Sequence, residues 1–246
     1  MKARIKFRKY GILRFIGHLD VMRYFQKVMR RAGIPIAFTG GFSPHMVMSF
    51  ASPLGIGLES DGEYLDVELS APVESAEAVR RMNEAGVEGI EVLSFRQIAD
   101  EKKMTGMTIL AAADYLIAPG DVPHAAGAIP WDWKEKFASF LEQEEIRVIK
   151  QTKRSEREVD IRPLVFSWKS VPEGIVVRLA AGSSENLKPE LLMDTFVRTW
   201  PEPDKEKALH GPVFSFRRLE LYAFLSEKGQ EGGFVSLESL GHDITT

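Results

Sequence analysis

Residues 2–31, KARIKFRKYGILRFIGHLDVMRYFQKVMRR, change their hydrophobic period once, and this change decides the fold of the first part of the chain. The apolar residues Ala3, Ile5 and Phe7 alternate with basic residues, which is the period of a half-buried strand. From Leu19 onward the apolar residues recur with helical spacing up to the end of the stretch. The sequence therefore predicts a strand followed by an amphipathic helix.

The pattern continues in the same manner to about residue 95. A strand-like segment with many turn residues covers residues 34–57, and EYLDVEL (63–69) alternates like a strand. A helix is predicted from Ser75, and GIEVLSF (89–95) returns as a strand. The order β-α-β-β-α-β is that of a ferredoxin-like domain.

A second set of elements follows a polar segment. ILAAADYLIAP (109–119) is strand-like, WDWKEKFASFLEQ (131–143) is helical, and further extended segments lead to the helix PELLMDTFVRTW (189–200) and the strand VFSFRRLELYAF (213–224). Because the same order appears twice, the sequence predicts an α+β protein made of two tandem ferredoxin-like (β-α-β-β-α-β) domains.

The predicted domain boundaries follow from these elements. The first domain covers residues 1–98 and the second covers residues 108–225. Residues 226–246 are rich in Gly and Ser and have little periodicity, so they are predicted to form a flexible C-terminal tail.

The composition excludes several classes of protein. The chain has no cysteine, which rules out disulfides, thiolate zinc sites, cysteine nucleophiles and an iron–sulfur cluster held by its own thiolates. No apolar run approaches the roughly 18 residues that span a bilayer, and the N-terminal segment lacks the apolar core of a signal peptide. We therefore expect a cytoplasmic protein that does not associate with a membrane.

The charge is distributed unevenly. Residues 1–31 carry ten lysine and arginine side chains and one acid, Asp20, although the formal net charge of the protein is −3. A basic end on an acidic body favours a localised surface for a polyanion. The alternative is that the basic side chains scatter over several faces.

His18 lies where the predicted strand gives way to the helix. The dipole of a helix N-terminus favours a neutral imidazole and attracts anions. One hypothesis makes His18 a general base that takes the 2′-hydroxyl proton of RNA, and a second makes it a non-catalytic contact to a phosphate or base. A third hypothesis is structural, with His18 or Asp20 bonding to the free backbone amides at the helix start.

Other candidate residues follow His18 along the chain. Arg23, Lys27 and Arg30 share one face of the predicted helix, which is either a solvated surface or a track for phosphates. Gly40 and Gly41 match neither a dinucleotide fingerprint nor a P-loop, and we interpret them as sites of a sharp turn or of close approach to a ligand.

No cofactor, metal site or familiar catalytic motif is predicted. His18, Asp20 and His45 have a spacing that matches no recognised set of metal ligands. The chain also lacks a Ser-His-Asp order, an H-E-x-x-H motif and a Walker motif. The sequence therefore favours a protein that is not itself an enzyme.

A longer pattern resembles a known family. Residues 13–69, LRFIGHLDVMRYFQKVMRRAGIPIAFTGGFSPHMVMSFASPLGIGLESDGEYLDVEL, are similar to the signature of the radical-SAM-associated domain of unknown function, and KQTKRSEREVDIRPL (150–164) and NLKPELL (186–192) extend the resemblance. This family occurs fused behind a radical SAM module or as a separate protein encoded beside one. The resemblance implies a partner radical SAM enzyme that supplies the radical chemistry.

The predicted architecture also resembles the RAMP-type RNA-binding proteins of the Cas6 kind. They have tandem ferredoxin-like domains, and some have a catalytic histidine near the first helix, where His18 lies in this chain. A likeness of architecture does not fix function, so it favours RNA binding more than RNA cleavage.

These arguments lead to one main expectation and two alternatives. We expect an accessory protein that binds or presents RNA, such as tRNA or rRNA, to a partner radical SAM enzyme. The expected RNA-binding residues are Arg14, His18, Arg23, Lys27, Arg30, Gly40, Gly41 and His45. One alternative is a metal-independent, Cas6-like endoribonuclease in which His18 is the catalytic base. The other is a protein-docking module for the radical SAM partner that does not touch RNA.

Overall fold

The computed structural model describes residues 1–120, 129–151, 156–202, 204–205, 213–226 and 232–245. The strands are β1 (Lys2–Lys9), β2 (Met48–Phe50), β3 (Glu59–Glu68), β4 (Ile90–Ile98), β5 (Leu110–Pro119), β6 (Arg147–Gln151), β7 (Glu156–Asp160), β8 (Val165–Val171), β9 (Gly174–Ala180), β10 (Phe214–Leu225), β11 (Gly233–Ser236) and β12 (His242–Asp243). The helices are α1 (His18–Arg31), α2 (Ser75–Glu84), α3 (Gly106–Ile109), α4 (Trp133–Leu141) and α5 (Pro189–Val197). Of the helices in these described ranges, none is long and apolar enough to cross a membrane.

The predicted α+β class is confirmed, since a large mixed sheet is combined with few helices. The chain divides into two compact units. Unit 1 contains Met1–Ala112 and Arg218–Thr246, and unit 2 contains Ala113–Arg217. The division into two tandem ferredoxin-like domains stays a prediction.

Helix α1 forms as its sequence predicts. Val21, Phe25, Val28 and Met29 are buried on one side of the helix, in the hydrophobic core of unit 1. The apolar side chains of β1 enter the same core, where the ring of Phe7 lies 4.7 Å from the ring of Phe25 in an edge-to-face arrangement. Such aromatic pairs add to the stabilisation that comes from burial alone.

The other face of β1 is partly buried, although its side chains are basic. Arg4 is 2% exposed and donates from Nε (2.7 Å) and Nη2 (2.9 Å) to the two carboxylate oxygens of Asp66 on β3. Its remaining donors bond to the carbonyl oxygens of Met104 (3.0 Å) and Leu237 (3.1 Å), and the backbone N–H of Gly106 donates to Asp66 Oδ2 (2.7 Å). Both members of the pair therefore have several hydrogen-bond partners in place of the water they have lost, as a buried ion pair requires.

A second polar cluster follows Arg4 along the same face. Lys6 Nζ donates to Glu220 Oε2 (2.8 Å) and Glu238 Oε2 (2.9 Å), and the hydroxyl of Tyr64 donates to Glu220 Oε1 (2.5 Å). Burial, together with the negative charge of Glu220, raises the pKa of the Tyr64 hydroxyl, so this group remains a donor. These contacts join β1 and β3 to β10 and to the segment after β11.

The segment after β10 differs from the flexible tail that the sequence predicts over 226–246, of which residues 227–231 and 246 lie outside the described ranges. Strand β11 pairs with β10, and β12 pairs with β4. Leu237 and Ile244 are buried, and Ile244 N–H donates to the Ser75 hydroxyl (2.8 Å). The described part of this segment is ordered because its strands pair with β10 and β4. The sequence does not show such pairing, because the segment has little periodicity of its own.

Unit 2 has its own apolar core, in which aromatic side chains of α4 and α5 meet. The Phe137 ring lies 5.2 Å from Phe196, and the Trp200 ring lies 5.5 Å from Phe196. Arg178 donates to both carboxylate oxygens of Asp114, at 2.7 and 2.8 Å. Strands β6 and β7 form a separate two-stranded hairpin, whose connection, residues 152–155, lies outside the described ranges.

The Arg4–Asp66 pair yields a stability prediction. Arg4→Met leaves the Asp66 carboxylate buried without its countercharge, and losing one partner of a buried pair costs about 3–5 kcal/mol. Hydrogen exchange of the β1 and β3 amides should therefore show a correspondingly lower free energy of opening. Arg80→Met, which removes an exposed guanidinium that pairs with Glu77 and Glu84 on α2, should change these amides little. Equal protection in Arg4→Met and the wild type would contradict the prediction.

Candidate functional site

The solvent side of α1 carries cations with little neutralisation. Arg23, Lys27 and Arg30 are all exposed. Arg23 is 66% exposed in its side chain and pairs with Asp20 at 3.3 Å, whereas Lys27 and Arg30 form no ion pair with any of the described residues. Asp20 is the single acid in this helix, so the helix itself supplies no further countercharge. The helical spacing correctly predicts that the three cations share a solvent-facing side.

On helix α2 of the same unit, an exposed arginine is neutralised by carboxylates of its own helix. Arg80 lies between Glu77 (2.7 Å) and Glu84 (2.6 Å), one turn away on either side. The two carboxylates therefore satisfy its charge within α2. On α1, Arg23 has one such partner, Asp20, whereas Lys27 and Arg30 have no ion-pair partner among the described residues, so their charges are available to a ligand.

The basic residues of β1 do not belong to this surface. Arg4 and Lys9 are each 2% exposed, and Lys6 is bound by two carboxylates. Arg8 lies 3.4 Å from Asp61 and 3.6 Å from Glu91. The charge count of residues 1–31 favours a surface that includes this strand, but the structure separates the ten basic side chains into an internal set and an exposed set.

Arg14 lies in a single 3₁₀ turn, Gly11–Phe15, before the helix. Its guanidinium stands 4.8 Å from the centre of the Phe15 ring, and Nη1 lies 3.4 Å from Glu59 Oε1. Phe15 is 58% exposed although it is a large apolar residue. The sequence does not indicate that this ring is exposed, because an apolar run next to a strand is typical of a core segment.

A buried lysine holds this turn in place. Lys9 Nζ donates to the carbonyl oxygens of Arg14 and Ile16, each at 3.2 Å. Burial lowers the pKa of Lys9, the positive charge of Arg218 acts in the same direction, and Glu63 opposes both. Lys9 therefore fixes the backbone on either side of Phe15.

His18 is the first residue of α1 and follows the N-cap residue Gly17. Its ring is half-buried and lies 4.9 Å from the ring of Phe50, edge to face. Within the described part of the chain, neither ring nitrogen makes a hydrogen bond. The hypothesis that its side chain caps the helix receives no support from these contacts, and the hypotheses of catalysis and of ligand contact stay open.

A small pocket lies beside His18. It is lined by Phe7, Lys9, His18, Val21, Phe50, Pro53, Leu54 and Glu63. Glu63 accepts from Arg218 Nη1 at 2.9 and 3.1 Å. Burial raises the pKa of the Glu63 carboxyl, while Arg218, Ser60 and Lys9 act in the opposite direction. Sequence reasoning missed this group, because Glu63 and Arg218 are separated by most of the chain and have no local signal.

The Gly40–His45 segment forms a closed loop. Thr39 N–H donates to the carbonyl oxygen of His45 (2.9 Å), and His45 N–H donates to the hydroxyl of Thr39 (3.1 Å). Gly41 has φ +98°, a conformation that side-chain-bearing residues rarely adopt. Gly40, Gly41 and His45 are exposed, and Phe42 between them is fully exposed.

The two histidines have different surroundings. His45 Nδ1 lies 3.1 Å from Thr39 Oγ1, and His45 is not among the residues that line the pocket beside His18. Throughout the described ranges, no group of three or more His, Cys, Asp or Glu side chains is arranged to hold a metal ion.

The structure thus defines an α+β protein with an exposed basic helix and a glycine-rich loop in its first unit. The model of a family described as uncharacterised proteins conserved in bacteria, DUF2344, matches residues 2–189, and the chain belongs to this family. The match includes every residue of the site described above except Arg218. A search of curated proteins finds no match to this chain.

The role of Lys9 can be tested by substitution. Lys9→Met removes the Lys9 donor from the carbonyls of Arg14 and Ile16, and Arg14 keeps only the N–H of Gly57 (2.9 Å). A buried polar group that loses its partner costs about 1–3 kcal/mol. Amide hydrogen exchange within residues 10–17 should therefore become about tenfold faster or more. Lys2→Met, on the same strand but at its start, should leave this segment unchanged. An unaltered exchange rate in Lys9→Met would show that other contacts hold the turn.

Proposed function

We propose that this protein binds RNA through the exposed face of α1 and presents it to a partner radical SAM enzyme. The observation that carries the proposal is the set of three exposed cations, Arg23, Lys27 and Arg30, in a helix with one acid. Cations of this kind bind phosphates and release the counterions that surround a polyanion. Arg14 extends the positive surface to the turn before the helix.

The spacing of the cations suits a phosphate backbone. Positions 23, 27 and 30 lie about one turn apart, and a helix rises about 5.4 Å per turn. The three charges therefore form a row along α1 instead of a single cluster. A row of cations favours an extended chain of phosphates over one isolated anion.

The partner is proposed from the family resemblance. Radical SAM enzymes hold their cluster through three cysteines, and this chain has none, so the radical chemistry would belong to another protein. In this proposal the present chain contributes RNA affinity and positioning.

The fold that we propose for each unit is ferredoxin-like. In unit 1, β1 pairs antiparallel with β3 and β4, and β2 pairs antiparallel with β3. In unit 2, β8 and β9 pair antiparallel. The strand order runs β10-β5-β9-β8, and β10 begins in unit 2 and ends in unit 1. Both orders support the split β-α-β arrangement. This is an argument about fold and does not decide function.

The test of this proposal is filter binding of total cellular RNA across a salt series. In the variant Arg23→Glu/Lys27→Glu/Arg30→Glu, affinity at about 0.1 M salt should fall by about tenfold or more. The slope of log affinity against log salt should also flatten by about 2, because each single-stranded phosphate contact contributes about 0.7.

The control is a second triple reversal at exposed cations that already have carboxylate partners, Arg80→Glu/Lys103→Glu/Arg147→Glu. It changes the net charge by the same amount and should keep most of the affinity and the steep slope. Equal loss in both variants would mean that overall charge, not α1, attracts the RNA. Negligible binding by the wild type would overturn the RNA proposal and leave the docking alternative, and shortened RNA with 2′,3′-cyclic phosphate ends would favour the endoribonuclease.

A further inference from the structure

We infer that the RNA bound by this protein is unpaired and that its bases stack on two exposed phenylalanine rings, Phe42 and Phe15. This inference rests on the proposed function and specifies its ligand. Both rings belong to unit 1, which also holds the cations of α1. The physical basis is that aromatic rings beside cations are the usual platform for single strands, since every base has a face that can stack.

Phe42 is the more unusual of the two residues. It is fully exposed, whereas a phenylalanine gains about 1.5–3 kcal/mol when it leaves water. Two hydrogen bonds between Thr39 and His45 join the ends of its loop. Its neighbour Gly41 has φ +98°. The loop backbone is thus shaped by specific contacts, and the result is a ring that faces water.

Phe15 is exposed in a different setting. Its turn is held by Lys9, whose ammonium donates to the backbone carbonyls of the residues before and after Phe15, Arg14 and Ile16. The guanidinium of Arg14 stands 4.8 Å from the ring centre. A guanidinium plane beside a ring combines a cation for phosphate with a surface for a base.

The two rings select against double-stranded RNA. In a duplex the base faces are stacked on each other and unavailable, so only the phosphates can reach the protein. A duplex would therefore contact the cations of α1, but its bases would not stack on Phe15 or Phe42. An unpaired strand uses both kinds of contact and should bind more tightly.

The experiment uses the full chain and two synthetic RNAs, a mixed-sequence 12-nucleotide strand and the same strand annealed to its complement. Fluorescence anisotropy at constant salt measures both affinities. The wild type should prefer the single strand. Phe42→Ala and Phe15→Ala should each weaken single-strand binding by about 5- to 100-fold, the loss of one stacked base, and should leave the salt slope and duplex affinity unchanged.

Three control variants separate stacking from simple loss of apolar surface. Ile12→Ala removes an 82% exposed aliphatic side chain from the same turn as Phe15 and should have little effect. Phe42→Trp should keep or improve the affinity, whereas Phe42→Leu should behave like Phe42→Ala. Because Phe42 is fully exposed, these substitutions should leave the circular dichroism spectrum unchanged.

The outcomes distinguish this inference from the proposed function. Equal affinity for the two RNAs, with Phe42→Ala and Phe15→Ala like the wild type and the α1 triple variant weakened, would overturn stacking and leave RNA binding in place. Absence of binding to either RNA by the wild type would overturn both.

Discussion

The bidentate contact between Arg4 and Asp66 is a buried interaction that constrains much of unit 1. It joins β1 to β3, and its spare donors and acceptors bind the backbone at Met104, Gly106 and Leu237. An isolated charge at this depth would be very unfavourable, so the ion pair and its hydrogen bonds form together or not at all. The pair therefore needs the segments around Met104 and Leu237, which are distant in sequence, to lie beside β1 and β3.

This constraint explains why both faces of β1 are occupied. One face carries Ala3, Ile5 and Phe7 into the apolar core, and the other carries Arg4 and Lys6 into a layer of ion pairs. Because these cations are used internally, the exposed basic side chains of residues 10–31 lie on α1 and on the turn at Arg14. The location of the proposed RNA site is therefore a consequence of how the sheet is stabilised.

The part of this arrangement that could be predicted from the sequence is the part set by local periodicity. Helix α1 and its exposed cations follow from the spacing of Val21, Phe25 and Val28, which fixes the opposite face by geometry. The burial of the basic face of β1 could not be predicted in this way. The alternation of apolar and basic residues shows that the two faces of the strand differ, but it does not show which residues cover the basic face. Its partners, Glu220 and Glu238, come from the far end of the sequence.

The candidate site shows the same limit. The helical spacing predicts that Arg23, Lys27 and Arg30 share an exposed face, and the glycine at position 41 predicts a sharp turn. Lys9, Glu63 and Arg218 were missed because their contacts depend on strand pairing. The exposure of Phe15 and Phe42 was missed for another reason, since an aromatic residue in a loop has no sequence signal that separates exposed from buried positions.

Most of β10, together with β11 and β12, follows unit 2 in the sequence, and this order has a consequence for how the protein is made. Unit 1 needs Glu220, Leu237 and Ile244, which leave the ribosome after all of unit 2 has been synthesised. During translation residues 1–112 are therefore made long before Leu237, Glu220 and Glu238, which complete the polar contacts of Arg4 and Lys6. The nascent chain therefore carries β1 without part of its polar partners until the end of synthesis, and chaperones would have an incomplete charged strand to protect during this interval.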